Sequence, residues 1–153
     1  MFVSVLISLL LVVISGPTPT PEQTLTPPHG DPRCWDHAMT DLAMQHCAGE
    51  NARDADEAMN VAFQQLLKRA PDAAARKKLQ TAQTAWMAYR KAELAAKYPA
   101  DNASLAQQKY GTVWPMCAVL DYVEMTRARL AELNSLLTVR EGNVCAGAYA
   151  HRQ

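Results

Sequence analysis

Residues 79–93 read LQTAQTAWMAYRKAE, a segment with helical spacing that carries polar groups in its core stripe. At about 100° per residue, Leu79, Gln83, Trp86, Arg90 and Glu93 fall in one narrow sector of the helix. A tryptophan that shares a helix face with an amide, a guanidinium and a carboxylate indicates a polar network in or beside a core. Buried polar groups need hydrogen-bonding partners, and we expect these partners on another helix.

The preceding segment predicts one long helix, from an N-cap at Thr40 to Ala70. Pro71 ends it and Asp72 caps the next helix, which runs to about residue 97. Because the connection is only about two residues long, the two helices should form an antiparallel hairpin. The predicted inner face of the first helix combines apolar residues with a carboxylate and an amide: Ala52, Asp56, Met59, Asn60, Phe63 and Leu67.

The hairpin brings the polar residues of its two helices together. If facing residue numbers sum to about 142, Asp56 lies opposite Trp86 and one turn from Arg90, while Asn60 lies opposite Gln83. We therefore predict an Asp56–Arg90 ion pair with Asn60 and Gln83 hydrogen-bonded beside it. The whole predicted network comprises Asp56, Asn60, Gln83, Trp86, Arg90 and Glu93.

A third helix is predicted to begin at Pro115 and to lie across the other two. Its apolar stripe is the most regular in the chain: Val119, Val123, Thr126, Leu130, Leu133 and Leu137. Residues 99–114 have little periodicity and predict a long loop, and residues 139–153 have no stripe and should be irregular. The expected fold is a small all-α, three-helix, up-down-up domain.

The N terminus carries export features rather than a folded domain. Residues 2–15 are an uncharged apolar run that would span only about 21 Å as a helix, too short for a bilayer core of about 30 Å. We interpret residues 1–15 as a signal peptide cleaved after Ser15, with an uncleaved anchor or a mis-assigned start codon as alternatives. Residues 16–33 are rich in Pro and Thr and predict an extended linker, or else a disordered mature N terminus. The helical domain then covers residues 34–138, and the protein should be periplasmic or secreted.

Charge and motif content restrict the function. Fifteen basic and fifteen acidic residues give zero formal charge, so nothing indicates binding to nucleic acid or to an anionic membrane. The sequence contains no Gly-x-Ser-x-Gly elbow, no phosphate-binding glycine loop and no His-Glu-x-x-His motif. Asp56 and Glu93 form a candidate carboxylate pair, but the nearby Arg90 favours a structural ion pair. We predict a non-catalytic protein with no metal and no cofactor.

Four cysteines in an exported chain indicate disulfides. Cys34 and Cys47 form the natural first pair, because the short segment before Thr40 can fold back onto the next helix. Elimination pairs Cys117 with Cys145, which requires the third helix to end early. Free thiols or an intermolecular bridge remain open for these two. Cys34, His37, His46 and Cys47 also contain the atoms of a Cys₂His₂ zinc site. Adjacent side chains at 46 and 47 point about 100° apart on a helix, so we favour the disulfide.

Four motifs together resemble one known family. They are Ala55-Asp56-x-x-Met59-Asn60, Leu79-x-x-Ala82-Gln83-x-x-Trp86-x-x-Tyr89-Arg90-x-Ala92-Glu93, Gly111-Thr112-x-x-Pro115-Met116 and Arg129-x-x-Glu132-Leu133. This pattern is similar to the LprI-like lysozyme inhibitors over about residues 34–133. The resemblance implies a disulfide-stabilised helical domain outside the cytoplasm, in a family named for a member that inhibits lysozyme.

The resemblance also implies a departure in the cysteines. Cys34 and Cys47 match the family's first pair. Members with a second pair carry its cysteines at the positions of Leu94 and Asp121 in this chain, so that bridge is missing here or rerouted through Cys117 and Cys145.

Our leading hypothesis is inhibition of lysozyme or another wall hydrolase by protein–protein binding. Ser104, Lys109 and Tyr110 in the predicted loop are the candidate contacts, chosen for their expected exposure. An envelope-maintenance domain, or an immunity partner of a secreted effector, is the alternative. Zinc or small-ligand binding through the Cys/His cluster is a third possibility.

Overall fold

A computed structural model describes residues 32–140 and 142–149. Five α-helices follow one another in this part of the chain, and a 3₁₀ segment at Val144–Tyr149 is broken by a kink at Gly147. The helices are α1 Pro32–His37, α2 Asp41–Arg69, α3 Ala73–Lys97, α4 Ala103–Tyr110 and α5 Trp114–Leu137. The described residues contain no strand, which confirms the all-α class, and none of their helices is long and apolar enough to cross a bilayer. The predicted signal peptide and residues 16–31 of the predicted linker lie outside the described residues.

Side-chain caps define where three of the helices begin. Thr40 Oγ1 accepts a hydrogen bond from the Ala43 amide at 3.2 Å, and Asp72 Oδ1 accepts one from Ala75 at 2.7 Å. Asn102 Oδ1 does the same for Leu105 at 3.0 Å, which begins α4 inside the segment predicted to be a loop. Gly111, with φ of 82°, ends α4 in a backbone conformation that favours glycine.

The three long helices run up, down and up, as predicted, but the prediction of only three helices is wrong. The short helices α1 and α4 and the 3₁₀ segment lie where irregular chain was expected. Asp56 bonds to Tyr122 and Arg69 to the Leu137 carbonyl, so α2 and α5 are parallel. Gln83 bonds to Arg129 and Lys97 to Asp121, so α3 is antiparallel to α5.

The closest helix packing joins α2 to α5 rather than α2 to α3. Three alanines spaced seven residues apart, Ala48, Ala55 and Ala62, are each at most 4% exposed, and their small side chains let the two backbones approach. The core around this contact consists of Met59, Ala62, Leu66, Leu79 and Leu133. The buried face of α2 is therefore offset from the predicted one, and Asn60, placed on that predicted face, is exposed.

Candidate functional site

Arg90 on α3 lies at the centre of a polar network between the three long helices. Its side chain is 11% exposed, and Nη1 donates to Asp56 Oδ1 at 3.1 Å and to Thr126 Oγ1 at 2.5 Å. The guanidinium carbon lies 4.8 Å from the ring centre of Trp86 and 3.8 Å from that of Tyr122. Both distances are within the range of cation–π attraction. The expected Asp56–Arg90 ion pair is thus present and is supplemented by two residues of α5.

Tyr122 binds the second carboxylate oxygen of Asp56 at the edge of the network. Its hydroxyl donates to Asp56 Oδ2 at 2.5 Å, so both carboxylate oxygens of Asp56 have a partner. Burial is the larger cause and this hydrogen bond to an anion is the second; together they raise the pKa of Tyr122 to about 12. Because the Asp56 side chain remains 42% exposed, this edge of the network is open to water.

Gln83 is buried, but its partners differ from the predicted ones. Its Nε2 donates to Met59 Sδ at 3.4 Å, and its Oε1 accepts from Arg129 Nε at 3.1 Å. Asn60 and Glu93, both assigned to the network from the sequence, are exposed and lie outside it. Half-buried Leu94, four residues after Arg90, continues the inner face of α3 in place of Glu93. We define the Arg90 network as Asp56, Gln83, Trp86, Arg90, Tyr122, Thr126 and Arg129.

The Arg90 network has the properties of a structural element. Its buried cation is paired with a carboxylate, and its other polar groups also have partners: Tyr122 donates to Asp56, Thr126 accepts from Arg90, and Gln83 accepts from Arg129. Sequence reasoning missed Tyr122, Thr126 and Arg129. The available signal was Thr126, a polar residue inside the otherwise apolar stripe of α5, preceded four residues earlier by Tyr122 and followed three residues later by Arg129.

The three candidate contact residues lie on α4 rather than on an irregular loop. Ser104 is exposed in the first turn, and Lys109 is exposed in the last turn with Nζ 5.3 Å from the Tyr110 ring centre. Tyr110 is half-buried, since its hydroxyl donates to the Pro99 carbonyl at 3.2 Å and its ring meets Tyr98 edge-on at 5.7 Å. Ser104 and Lys109 are therefore accessible, while Tyr110 mainly anchors α4.

Beside α4 is an open groove of about 720 Å³. Its wall includes Tyr98, Asp101, Leu105 and Lys109, so it carries an aromatic ring, an apolar side chain and one charge of each sign. A groove of this size and openness suits a side chain or loop of a protein partner better than an enclosed small molecule.

Asp121 connects the end of α3 to α5 next to Tyr98, which lines this groove. Its two carboxylate oxygens accept from Lys97 Nζ and from the Tyr98 hydroxyl, each at 2.6 Å. Burial and the adjacent Asp121 raise the pKa of Tyr98 well above its ordinary value. Two hydrogen bonds to Asp121 therefore join the end of α3 to α5.

Exposed apolar side chains gather at the same end of the bundle. Met39 is 87% exposed and Leu42 78% exposed at the start of α2, and Val113 is 39% exposed just before α5. Thr112 Oγ1 donates to Asp41 Oδ2 at 3.1 Å, which brings these two segments together. We call α4, its groove and these three side chains the α4 end.

Cys34 and Cys47 form a disulfide with a Cα–Cα distance of 5.8 Å, which holds α1 against α2. The predicted Cys117–Cys145 bridge is wrong, because both thiols are free. Since α5 continues unbroken to Leu137, about 30 Å of helix separates Cys117 from the point where the chain can turn back. The Cys34–Cys47 bridge borders a second open groove that also includes His37, His46 and Glu50.

Comparison with known proteins gives one match. A family model described as "Lysozyme inhibitor LprI" matches residues 34–133, from the first cysteine of the disulfide to the last buried leucine of α5. No curated protein and no solved structure matches the chain.

Proposed function

The chain belongs to the LprI family of lysozyme inhibitors, and from this membership we propose that it is an exported, non-catalytic inhibitor of a lysozyme-type peptidoglycan hydrolase. The observation that carries the proposal is the match over residues 34–133, which includes α2 to α4 and most of α5. An inhibitor of a wall hydrolase works outside the cytoplasm. The proposal therefore includes cleavage of residues 1–15 as an export signal, with residues 16–33 acting as a linker.

A binding role, rather than catalysis, agrees with the state of the polar residues. The acid and base groups that a hydrolase would use need to be accessible to substrate and poised to exchange protons. In the described residues, the most buried cation, Arg90, is instead paired within the Arg90 network. A buried cation held in this way is committed to its partner in the fold and is not offered to a substrate.

We propose that the α4 end contacts the hydrolase. Glycoside hydrolases of the lysozyme type place two carboxyl groups in the substrate cleft, so an inhibitor gains from an exposed cation and an apolar contact at its tip. Lys109 supplies such a cation, and Met39, Leu42 and Val113 supply exposed apolar area at the same end of the bundle. Because the chain is neutral overall, we expect short-range complementarity to contribute more than long-range attraction.

The test is direct inhibition. The purified protein is titrated against lysozymes of several structural classes, and the lysis of a wall suspension is followed by turbidity. We expect inhibition of at least one class with stoichiometric binding in calorimetry. No effect on any class, at inhibitor concentrations far above that of the enzyme, would overturn the proposed target.

A pull-down from an envelope extract provides the second arm of this test. Recovery of a non-hydrolase partner, without lysozyme inhibition, would support the envelope or immunity role instead.

A further inference from the structure

The disulfide lies within a cluster of metal-ligating side chains. Among the described residues, Cys34, His46 and Cys47 form a group whose potential metal-ligand atoms all lie within 4.8 Å of one another. Helix geometry predicts that His46 and Cys47, as neighbours on α2, point about 100° apart. The cluster forms because α1 is folded back onto α2. This places the Cys34 sulfur beside the groove that His46 and Cys47 line on α2.

We propose that this cluster is a reduction-dependent zinc site. With the disulfide open, Cys34 and Cys47 would bind Zn²⁺ as thiolates, His46 as a neutral imidazole and His37 as the fourth ligand. Tetrahedral zinc with Zn–S bonds of about 2.3 Å requires the two sulfurs to lie about 3.8 Å apart. The cysteine backbones, 5.8 Å apart between Cα atoms, permit this separation through side-chain rotation alone.

The surroundings provide access and support. The cluster borders an open groove of about 670 Å³, and His37 from α1 lines the same groove. His46 Nε2 lies 3.9 Å from Glu50 Oε1, one turn further along α2. Ligating histidines usually donate their second ring N–H to a carboxylate, so Glu50 is placed to orient His46 when its Nδ1 faces the metal.

Opening the site requires only a thiol reductant. A dithiol reduces the Cys34–Cys47 bond to two thiols and is itself oxidised to a disulfide. Zn²⁺ then displaces one proton from each thiol and binds the two thiolates. The bridge and the metal are mutually exclusive, and each holds α1 to α2. The proposal does not depend on lysozyme inhibition.

The test uses the full chain with Cys117→Ser and Cys145→Ser, so that Cys34 and Cys47 are its only thiols. Zn²⁺ alone is the probe, in competition with a chromophoric chelator, for the oxidised protein and for protein reduced with a phosphine under anaerobic conditions. We expect the reduced form to bind one Zn²⁺ about 100-fold more tightly than the oxidised form. Co²⁺ should give the thiolate charge-transfer and tetrahedral ligand-field bands.

Single ligand variants identify the site. His46→Ala keeps both cysteines, so the disulfide still forms, and it should weaken Zn²⁺ binding by the reduced form about tenfold or more. Gln45→Ala, its neighbour on α2, is the matched control and should not change affinity. Circular dichroism verifies that each reduced variant is still helical. Equal affinity of oxidised and reduced protein, or unchanged affinity in His46→Ala, would overturn the site.

Discussion

The guanidinium carbon of Arg90 lies 3.8 Å from the centre of the Tyr122 ring, while its Nη1 donates to Asp56. One side chain of α3 thus contacts an aromatic ring of α5 and a carboxylate of α2. The closest backbone packing joins α2 to α5, and α3 packs less closely. The Arg90 side chain is therefore a principal link between α3 and the other two long helices.

Arg90→Ala should lower the free energy of unfolding by about 2–4 kcal/mol. The loss comes mainly from the guanidinium contacts with Trp86, Tyr122 and Thr126, because Asp56 is 42% exposed and can be solvated once its partner is removed. Urea denaturation followed by circular dichroism measures the change. Arg53→Ala removes an exposed ion pair with Glu50 on α2 and should cost less than about 0.5 kcal/mol. Equal losses in the two variants would mean that the Arg90 network adds no stability.

The stabilising effect of Tyr122 should disappear at high pH. Its pKa in the folded protein, about 12, lies above the ordinary value of 10.0. The neutral hydroxyl therefore contributes its full stability below about pH 10, and this contribution is lost as the pH rises through about 12. Denaturation at about pH 8 and about pH 11 should show the advantage of the wild type over Tyr122→Phe shrinking. Tyr89→Phe, at a ring that is 54% exposed, is the control. A constant advantage across this range would contradict the hydrogen bond to Asp56.

Asn51→Leu should stabilise the domain. Asn51 is fully buried on α2, and neither its amide nitrogen nor its carbonyl oxygen has a hydrogen-bonding partner within the described structure. Replacing an unsatisfied buried amide with an apolar side chain of similar shape should gain about 1 kcal/mol. The thermal midpoint should rise accordingly.

Thr126→Val is the matched opposite change. Thr126 is also fully buried, but its hydroxyl accepts from Arg90 and donates to the Tyr122 carbonyl. Its loss should lower stability by about 1–3 kcal/mol. If both variants were destabilising, Asn51 would have a bonded partner in solution.

Lys109→Ala should weaken inhibition of a sensitive hydrolase about tenfold, since an interface cation that faces a carboxylate is a frequent hot spot. The folded domain should be unaffected, because Lys109 is exposed. Lys78→Ala removes an exposed lysine near the start of α3, at the opposite end of the bundle, and should leave the inhibition constant within about twofold. A loss confined to Lys78→Ala would place the interface at the other end.

Ser104→Arg adds a bulky group to the α4 end and tests the same surface by steric exclusion. Ser135→Arg, near the far end of α5, is its control. Binding by calorimetry should fall only in the first variant, while both remain folded.

Helix periodicity predicted the long helices and the register of α2 against α3. The expected sum of about 142 for facing residues is met by Met59 and Gln83, whose side chains bond at 3.4 Å. Leu79, Gln83 and Arg90 were all placed correctly on a buried face. These positions follow from a short connection and from large side chains, both of which give strong local signals.

The main helix interface was missed because alanine gives a weak hydrophobic signal. Ala48, Ala55 and Ala62 pack closely against α5, yet the larger Phe63 and Leu67 directed the predicted inner face one position away. Tyr122 and Thr126 were missed for a different reason, because the polar partners of α3 were expected on α2 alone, across the hairpin. The helix α4 was missed although Asn102 and Gly111 are a typical N-cap and C-terminal glycine, because its eight residues are too few for periodicity to show.

The parallel pairing of α2 and α5 has a kinetic consequence. Contacts such as Asp56–Tyr122 and Arg69–Leu137 join residues 66 and 68 positions apart, so the best-packed interface has high contact order for a helical protein. The α2–α3 hairpin can form early, but its alanine face is covered only after α5 has returned past it. Folding of this domain should therefore be slower than that of a bundle whose closest contacts join successive helices, and a chain that ends before α5 should not fold cooperatively.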